Sequence, residues 1–305
     1  MGLKPILLAV ALSGMSAAAL AQMNQSVMLP ENSAKRVSEH VYAIMGFPNI
    51  AIVIGGRATL VVDTGMGARN GQIIMREVER LSKNQVLYLT TTHFHPEHAA
   101  GEPGFPPRTI LIRDAVQQQE MEANGRQMIE MFSKMSAQNK ELLDGLVLRK
   151  PDVLFDQELT LDLGGGVTCR LLWFGPGHTK GDELILVQPD STLISGDIVQ
   201  NKLVPAIYGE ASTVKGWLAI LDKVAALKPR FVVPDHGELG DGSLIEKERA
   251  FIQDLQTQAL QLKRQGVSAE NAGKKVTESI QAKYPDWTNL RGVPNVVQRV
   301  YAESN

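Results

Sequence analysis

The hydrophobic pattern along the chain changes between short apolar runs and longer stretches with helical spacing. Short apolar runs bounded by Gly, Pro or Asn predict strands. They lie at 40–45, 49–54, 58–63 and 85–90, and then at 153–155, 158–162, 167–174, 183–187, 192–196 and 231–233. Apolar residues at helical spacing predict helices over 70–82, over 114–144 as one or two helices, over 212–227 and across 244–303.

The order of these elements indicates a layered α/β protein. Each half of the chain is rich in strands first and in helices later, and a strand, a helix and a strand follow one another over 58–90. We therefore expect two sheets packed together with helices outside. Since no repeat, low-complexity linker or block of charge marks a second domain, residues 22–305 are expected to form a single domain with C-terminal helices.

Residues 1–21 have the pattern of a secretory signal peptide. A basic residue precedes an apolar stretch at 6–12, and small residues lead to a cleavage point after Ala21. An uncleaved anchor is the alternative, but the apolar stretch is short and is interrupted at Ser13. No other run approaches membrane-spanning length, so we expect no stable membrane insertion after cleavage. The expected location is a bacterial periplasm or the outside of the cell.

Composition and charge narrow the function classes. Hydrophobic residues make up 44% of the chain and charged residues 21%, which is ordinary for a protein with a buried core. The net charge of −2 gives no reason to expect a nucleic acid as partner. The single cysteine, Cys169, excludes an intramolecular disulfide, and its apolar surroundings in the sequence predict a buried structural thiol.

Five of the six histidines occur in a shared context. His93, His95 and His98 directly follow a predicted strand. His178 and His236 also follow strands, and each lies beside a glycine. Turns at strand ends are where a rigid scaffold usually displays binding residues. His40 lies outside this context and is expected to be an ordinary strand or surface histidine.

The spacing within residues 92–98 suits a metal site. His93 and His95 can point the same way because side chains alternate in extended backbone. Pro96 is expected to interrupt regular structure and to let Glu97 and His98 turn toward a neighbouring point. Imidazole nitrogens and carboxylate oxygens bind zinc, and a catalytic zinc typically keeps three protein ligands.

A pair of histidines two residues apart is a weak signal by itself. The cluster becomes a strong one because His178, Asp197 and His236 also stand at predicted strand ends. Two metal sites that share one hydroxide need about six ligands, which this set of residues supplies. We therefore expect a dinuclear centre.

Together these elements resemble the metallo-β-lactamase superfamily across most of the chain. Its five motifs have counterparts here in the same order. They are Val62-Asp63-Thr64-Gly65, His93-Phe94-His95-Pro96-Glu97-His98, Gly177-His178-Thr179, Ser195-Gly196-Asp197 and His236-Gly237. The resemblance implies an αββα sandwich of two mixed β-sheets with helices on the outer faces.

The resemblance also implies a role for each motif residue. The first metal would be bound by His93, His95 and His178. The second metal would be bound by Glu97, His98 and His236. Asp197 would bridge the two ions, and Asp63 would support the metal-binding loop through hydrogen bonds. Two zinc ions are expected, with iron and manganese as alternatives.

The implied reaction is hydrolysis by a hydroxide that bridges the metals. Glu97 could orient this hydroxide and pass its proton to the leaving atom, so Glu97 and Asp197 are the expected catalytic residues. Glu97 stands where most members of the superfamily have Asp. Its extra methylene predicts either an adjusted loop or weaker binding of the second metal.

The substrate is expected to be a small molecule with an ester, thioester, lactone or amide-type bond. A periplasmic β-lactamase is an alternative favoured by the export signal. Asp197 argues against it, because lactamases of this fold carry Cys near the fourth motif or lack the bridging Asp. A metal-dependent accessory or redox protein of a periplasmic dehydrogenase system is a further alternative. Lys202 and Tyr208 could contact substrate, although a surface position is expected for Lys202. The oligomeric state is left open.

Overall fold

The computed structural model describes residues 26–208 and 211–304. The predicted signal peptide over 1–21 lies outside the described residues. No helix in the described ranges is both long enough and apolar enough to span a membrane.

The first sheet has seven strands and is mixed. Its strands, in order across the sheet, are β1 (Lys35–Arg36), β2 (Val41–Ile44), β3 (Ile50–Ile54), β4 (Ala58–Val62), β5 (Val86–Thr90), β6 (Ile110–Asp114) and β7 (Val153–Phe155). Strands β1 to β4 pair antiparallel, whereas β4 to β7 pair parallel. The change of direction at β4 follows from the helical crossover that leads from β4 to β5.

The second sheet has six strands and is also mixed. Its strands, in order across the sheet, are β13 (Gly240–Asp241), β12 (Phe231–Val233), β11 (Thr192–Ile194), β10 (Glu183–Gln188), β9 (Val167–Trp173) and β8 (Glu158–Gly164). Strands β11 and β12 are parallel, and the other neighbours are antiparallel. This arrangement places the carboxyl ends of β9, β11 and β12 along one edge.

Eight α-helices are formed by the described residues. They are α1 (Ala68–Leu81), α2 (Pro96–Ala99), α3 (Ala115–Ser133), α4 (Ala137–Leu143), α5 (Val214–Ala226), α6 (Ser243–Arg264), α7 (Ala269–Lys283) and α8 (Val293–Glu303). Two short 3-10 helices lie at Glu102–Gly104 and Leu290–Gly292.

The core has three layers of apolar side chains. The central layer lies between the sheets and combines residues such as Val53 and Leu60 of the first sheet with Leu171 and Ile185 of the second. A second layer packs α1 on the outer face of the first sheet, and a third packs α5 to α8 against the second sheet. The predicted αββα sandwich of two mixed sheets is confirmed.

The structure departs from the sequence-based expectations at strand β6, which was not predicted, and at Pro96. Pro96 does not interrupt regular structure, because it is the first residue of α2, where its missing N–H removes no helical bond. The thiol of Cys169 is buried as expected, and burial raises its pKa well above the ordinary value.

Candidate metal centre

The candidate ligands meet because they follow strands that end at the same edge of the sandwich. The segment 92–98 follows β5, which ends at Thr90, and His178 lies in the connection from β9 to β10. Asp197 follows β11, and His236 follows β12. Since β9, β11 and β12 run in the same direction, their connecting loops lie together beside the loop after β5.

The three histidines expected at the first metal converge. One ring nitrogen each from His93, His95 and His178 lies within 4.8 Å of the others. His93 Nε2 is 3.0 Å from His95 Nδ1, and His178 Nε2 is 3.2 Å from the same Nδ1. Burial, followed by the neighbouring histidine charges, lowers the pKa of both His93 and His95 well below the ordinary value. Neutral imidazole is the form that binds a metal ion.

The three residues expected at the second metal also converge. Donor atoms of Glu97, His98 and His236 lie within 4.8 Å of one another. Glu97 Oε1 is 3.9 Å from His98 Nε2. Glu97 Oε2 and His98 Nε2 are buried and, like His236 Nδ1, find no hydrogen-bond partner among the described residues. Buried polar atoms without partners are uncommon, and a cation between them would satisfy both.

Asp197 lies between the two groups of donors. One of its carboxylate oxygens is 3.4 Å from His178 Nε2, and the other is 3.3 Å from His236 Nε2. It also forms a group of close donors with His93 and His98. Burial alone would raise the pKa of Asp197, but the charges of the surrounding histidines, His236 first, hold it at about 2. The carboxylate is therefore charged and placed to bridge two cations.

His98 is held from behind by two carboxylates and a threonine. Its Nδ1 is 3.0 Å from Asp63 Oδ2 and 3.4 Å from Asp235 Oδ2. The Thr92 amide donates to Asp63 Oδ1 at 2.7 Å, and the Thr92 hydroxyl donates to Asp235 Oδ2 at 2.8 Å. Burial lowers the pKa of His98, yet the charge of Asp63 and the contacts with Asp235 outweigh it and raise the pKa well above the ordinary value. With Nδ1 occupied in this way, Nε2 points into the centre.

Asp63 therefore lies next to the metal-binding loop, as the sequence predicted, and its donor atoms group with those of His98 and Asp235. Asp235 is a residue that the sequence reasoning missed. Its position directly before His236 was an available signal, because neighbours of a ligand often orient other ligands. Burial, with the charge of Asp63, raises the pKa of Asp235 to about 7.

The loop that carries His178 is braced by a second missed carboxylate. Asp182 accepts hydrogen bonds from the amides of Gly177 and Thr179 and from the Thr179 hydroxyl at 2.7–3.1 Å. His178 Nδ1 lies 3.1 Å from the Ala206 carbonyl. Because that carbonyl can only accept, Nδ1 carries the proton and Nε2 is left free to bind a metal ion.

The turn that carries His236 is attached to the first sheet. Asn49, in the loop before β3, donates from Nδ2 to the carbonyls of Pro234 and Gly237 at 2.8 and 2.9 Å. The Phe47 ring lies 4.6 Å from the His236 ring, measured between centroids. Asn49 and Phe47 were not identified from the sequence, since each acts across a separation of more than a hundred residues.

The remaining candidates lie at the surface or outside the centre. Lys202 is exposed and pairs with Asp286 at 2.5 Å. Tyr208 is 47% exposed, and its ring lies 5.6 Å from the His178 ring. His40 is apart from the cluster and pairs with Asp190 at 2.7 Å.

The structure thus brings all seven predicted ligands together. They form two groups of three donors with one carboxylate between them, and this set fits two divalent cations.

Two curated relatives show what the chain is similar to. A linear primary-alkylsulfatase from Pseudomonas sp. (strain ATCC 19151) is 22% identical over 257 residues, which cover 71% of this chain and 47% of that protein. A metallo-beta-lactamase type 2 from Bacteroides fragilis is 29% identical over 105 residues, or 33% of this chain and 42% of the relative. The chain thus spans about half the length of these relatives.

Solved structures support the fold. A stereoselective inverting sec-alkylsulfatase, Pisa1 from Pseudomonas sp., superimposes with a TM-score of 0.69 at 15% identity, covering 88% of this chain and 50% of that one. A metallo-beta-lactamase from Pontibacter korlensis gives a TM-score of 0.58 at 19% identity, covering 73% of this chain and 99% of that one.

The family assignment follows from a third comparison. The sequence model of the metallo-beta-lactamase superfamily matches residues 44–236, which is more than half of the chain and includes every predicted ligand. The chain belongs to the metallo-β-lactamase superfamily.

Proposed function

We propose that this protein is a zinc-dependent hydrolase that cleaves an ester, thioester, lactone or amide-type bond in a small molecule. The observation that carries the proposal is the convergence of two groups of three donors on either side of Asp197. The first ion would be held by His93, His95 and His178, and the second by Glu97, His98 and His236. When bound, two zinc ions would supply a nucleophile from water near neutral pH and a Lewis acid for the substrate oxygen.

Glu97 is the residue best placed to move a proton. Its Oε2 is buried and has no partner within the described part of the chain. Burial, the largest cause, raises the pKa of Glu97 to about 7. This value applies to the metal-free protein, and a bound cation would lower it. A carboxylate oxygen that faces the centre could then take a proton from the nucleophile and return it to the leaving atom. Asp197, whose pKa is about 2, would stay charged and lie between the first and second groups of ligands.

A sulfate ester is a second candidate substrate. Its support is the similarity to two alkylsulfatases, one in sequence over 71% of this chain and one in fold over 88%. A β-lactam is a weaker candidate, because the matching lactamase sequence covers only 33% of the chain and Asp197 stands in the fourth motif.

An accessory or redox role in a periplasmic dehydrogenase system would be favoured by a single bound iron.

We also propose that the protein is exported. The support is the sequence pattern of residues 1–21 alone, with cleavage after Ala21. Amino-terminal sequencing of the protein purified from periplasm or culture medium tests this, and a mature chain that still begins at Met1 would contradict it.

The test of function starts with metal content. We expect two zinc ions per chain by elemental analysis of protein purified without added chelator. The same sample is then assayed against a lactone, a thioester, a carboxylic ester, a sulfate ester and a β-lactam. Turnover of any of these identifies the substrate class, whereas one bound iron without hydrolysis would contradict the proposal.

The variant His95→Ala tests the ligand assignment. It removes a nitrogen from the first group, so we expect loss of metal and a fall in activity of at least a hundredfold, the order seen when catalytic machinery is removed. His40→Ala is the matched control, because His40 lies outside the centre and pairs with Asp190. Full metal content and activity in His95→Ala would overturn the assignment.

A further inference from the structure

A buried glutamine joins two of the proposed ligands. Gln200 is 3% exposed and lies three residues after Asp197. Its Nε2 donates to Asp197 Oδ1 at 3.0 Å. Its Oε1 accepts a hydrogen bond from the His236 amide at 3.2 Å. One side chain therefore touches both the carboxylate between the metal sites and the turn that carries a ligand of the second site.

The chemistry of these contacts suits a side-chain amide. A carboxylate can only accept a hydrogen bond and a backbone amide can only donate one, so the group between them must do both. Asparagine and glutamine are the side chains that combine a planar donor and acceptor in this way. The same requirement fixes the orientation of the Gln200 amide, with its nitrogen toward Asp197.

The geometry at Asp197 shows what this contact controls. Oδ1 faces His236 Nε2 at 3.3 Å, while Oδ2 faces His178 Nε2 at 3.4 Å. A hydrogen bond from Gln200 to Oδ1 restricts rotation of the carboxylate about its last torsion angle. Each oxygen is thereby kept on its own side of the centre.

The backbone of Gln200 is itself held by the helical layer. Its amide donates to Oε2 of Glu248, a fully buried residue of α6, at 2.5 Å. Trp217 of α5 donates from Nε1 to the carbonyl of Ile198 at 3.1 Å. The segment between Asp197 and Gln200 is therefore fixed from two helices, and Gln200 does not depend on the metal for its position.

We propose that Gln200 is a positioning residue that sets the orientation of Asp197 and His236 and thereby the affinity of the second metal site. This inference rests on the proposed function, because it requires Asp197 and His236 to be ligands. It predicts that the second site depends on Gln200 and that the first site, whose histidines Gln200 does not touch, is much less affected.

The experiment is a zinc titration of the metal-free protein against a chromophoric chelator. In Gln200→Leu, which keeps the size of the side chain but loses both hydrogen bonds, we expect the second zinc to bind about 10–100-fold more weakly, the usual effect of removing a group that supports a ligand. The first zinc, whose three histidines Gln200 does not contact, should be much less affected. Cobalt spectra of the one-metal and two-metal forms report the same difference without any assay of activity.

Gln118→Leu is the matched control. Gln118 is also a buried glutamine, and it accepts a hydrogen bond from Arg113 at 2.6 Å away from the proposed ligands. We expect it to lose stability but to keep both zinc affinities. Circular dichroism and thermal melting of each variant separate such a general effect from one at the metal site.

Gln200→Met gives the same test if Gln200→Leu does not fold. Methionine keeps the length of the side chain but cannot donate to Asp197 Oδ1 and is at most a weak acceptor, so the second site should again be weakened. Parental affinity for the second zinc in a folded variant at position 200 would overturn the inference. If the parent itself binds fewer than two metal ions, the proposed function fails instead, and the two failures are thus distinguished.

Discussion

Glu97 shows how one side chain is accommodated in place of a shorter one. Its carboxylate lies in a group of three close donors with His98 and His236, although it is one carbon–carbon bond longer than Asp. Because Pro96 starts α2, Glu97 and His98 lie on the first turn of a short helix and not on an irregular loop. The carboxylate thus reaches the other two donors despite its extra methylene, which favours an accommodated site over a weakened one.

The variant Glu97→Asp tests this accommodation. Shortening the side chain withdraws the carboxylate by about one bond length, whereas metal and catalytic geometry tolerates errors of only about 0.5 Å. We expect weaker binding of the second zinc by roughly tenfold or more, measured by chelator competition. Glu79→Asp on the exposed face of α1 is the control. Equal or tighter binding in Glu97→Asp would show that the site does not depend on the longer residue.

The ligands could be predicted from the sequence because their residue types and spacing carry the chemistry. His93 and His95 are recognisable two residues apart, directly after an apolar run. The supporting residues are harder to find, since Asn49 reaches Pro234 and Gln200 reaches His236 only after the chain has folded. Their residue types are common at any surface, and no local pattern marks them.

At the scale of elements, the sequence predicted most strands and the long helices, but not the residues at which they end. The region 114–144 was expected to be one or two helices and is two, because Ser136 caps the second helix with a hydrogen bond from the Asn139 amide at 3.0 Å. Strand β6 (Ile110–Asp114) was not predicted, since its apolar run is only three residues long. The two-residue strands β1 and β13 were not predicted either. They contain too few residues to show an alternating pattern, and pairing with a neighbouring strand defines them.

Helix α5 carries a testable cap. Thr213 accepts a hydrogen bond from the Gly216 amide at 2.9 Å, and loss of such a cap costs about 1 kcal/mol. In Thr213→Ala we expect the melting temperature to fall by about 2–4 °C in a scanning calorimeter. Thr257→Ala is the matched control, because Thr257 is an exposed threonine within α6. An unchanged melting temperature in Thr213→Ala would mean that the cap adds nothing to stability.

For the whole molecule, the joint between the two sheets includes a buried acid beside the metal-binding loop. Glu183 begins β10 of the second sheet and accepts a hydrogen bond from the Thr90 hydroxyl, at the end of β5 in the first sheet, at 2.7 Å. It is 1% exposed, and its Oε2 lacks a hydrogen-bond partner in the described ranges. Because this acid is buried where the two sheets meet, the free energy of unfolding depends on whether Glu183 is protonated.

Burial, with the charges of Asp114 and Asp63 adding to it, raises the pKa of Glu183 well above the ordinary value. Below the ordinary pKa of glutamate the group is protonated in both the folded and the unfolded chain. As the pH rises from there toward the raised pKa, the unfolded chain loses its proton first, so the free energy of unfolding decreases through that window. Glutamine keeps the acceptor for Thr90 and cannot ionise.

We therefore expect Glu183→Gln to have a higher melting temperature than the parent at about pH 8. The increase should be about 2–4 °C for each kcal/mol by which the parent is destabilised at that pH, and it should be smaller at about pH 5. The measurement is thermal unfolding of the metal-free proteins at both pH values, so that metal binding does not contribute. Glu79→Gln, on the exposed face of α1, should leave the difference between the two pH values as it is in the parent. If the difference in melting temperature between Glu183→Gln and the parent is the same at both pH values, or is larger at pH 5, ionisation of Glu183 does not control the stability of the protein.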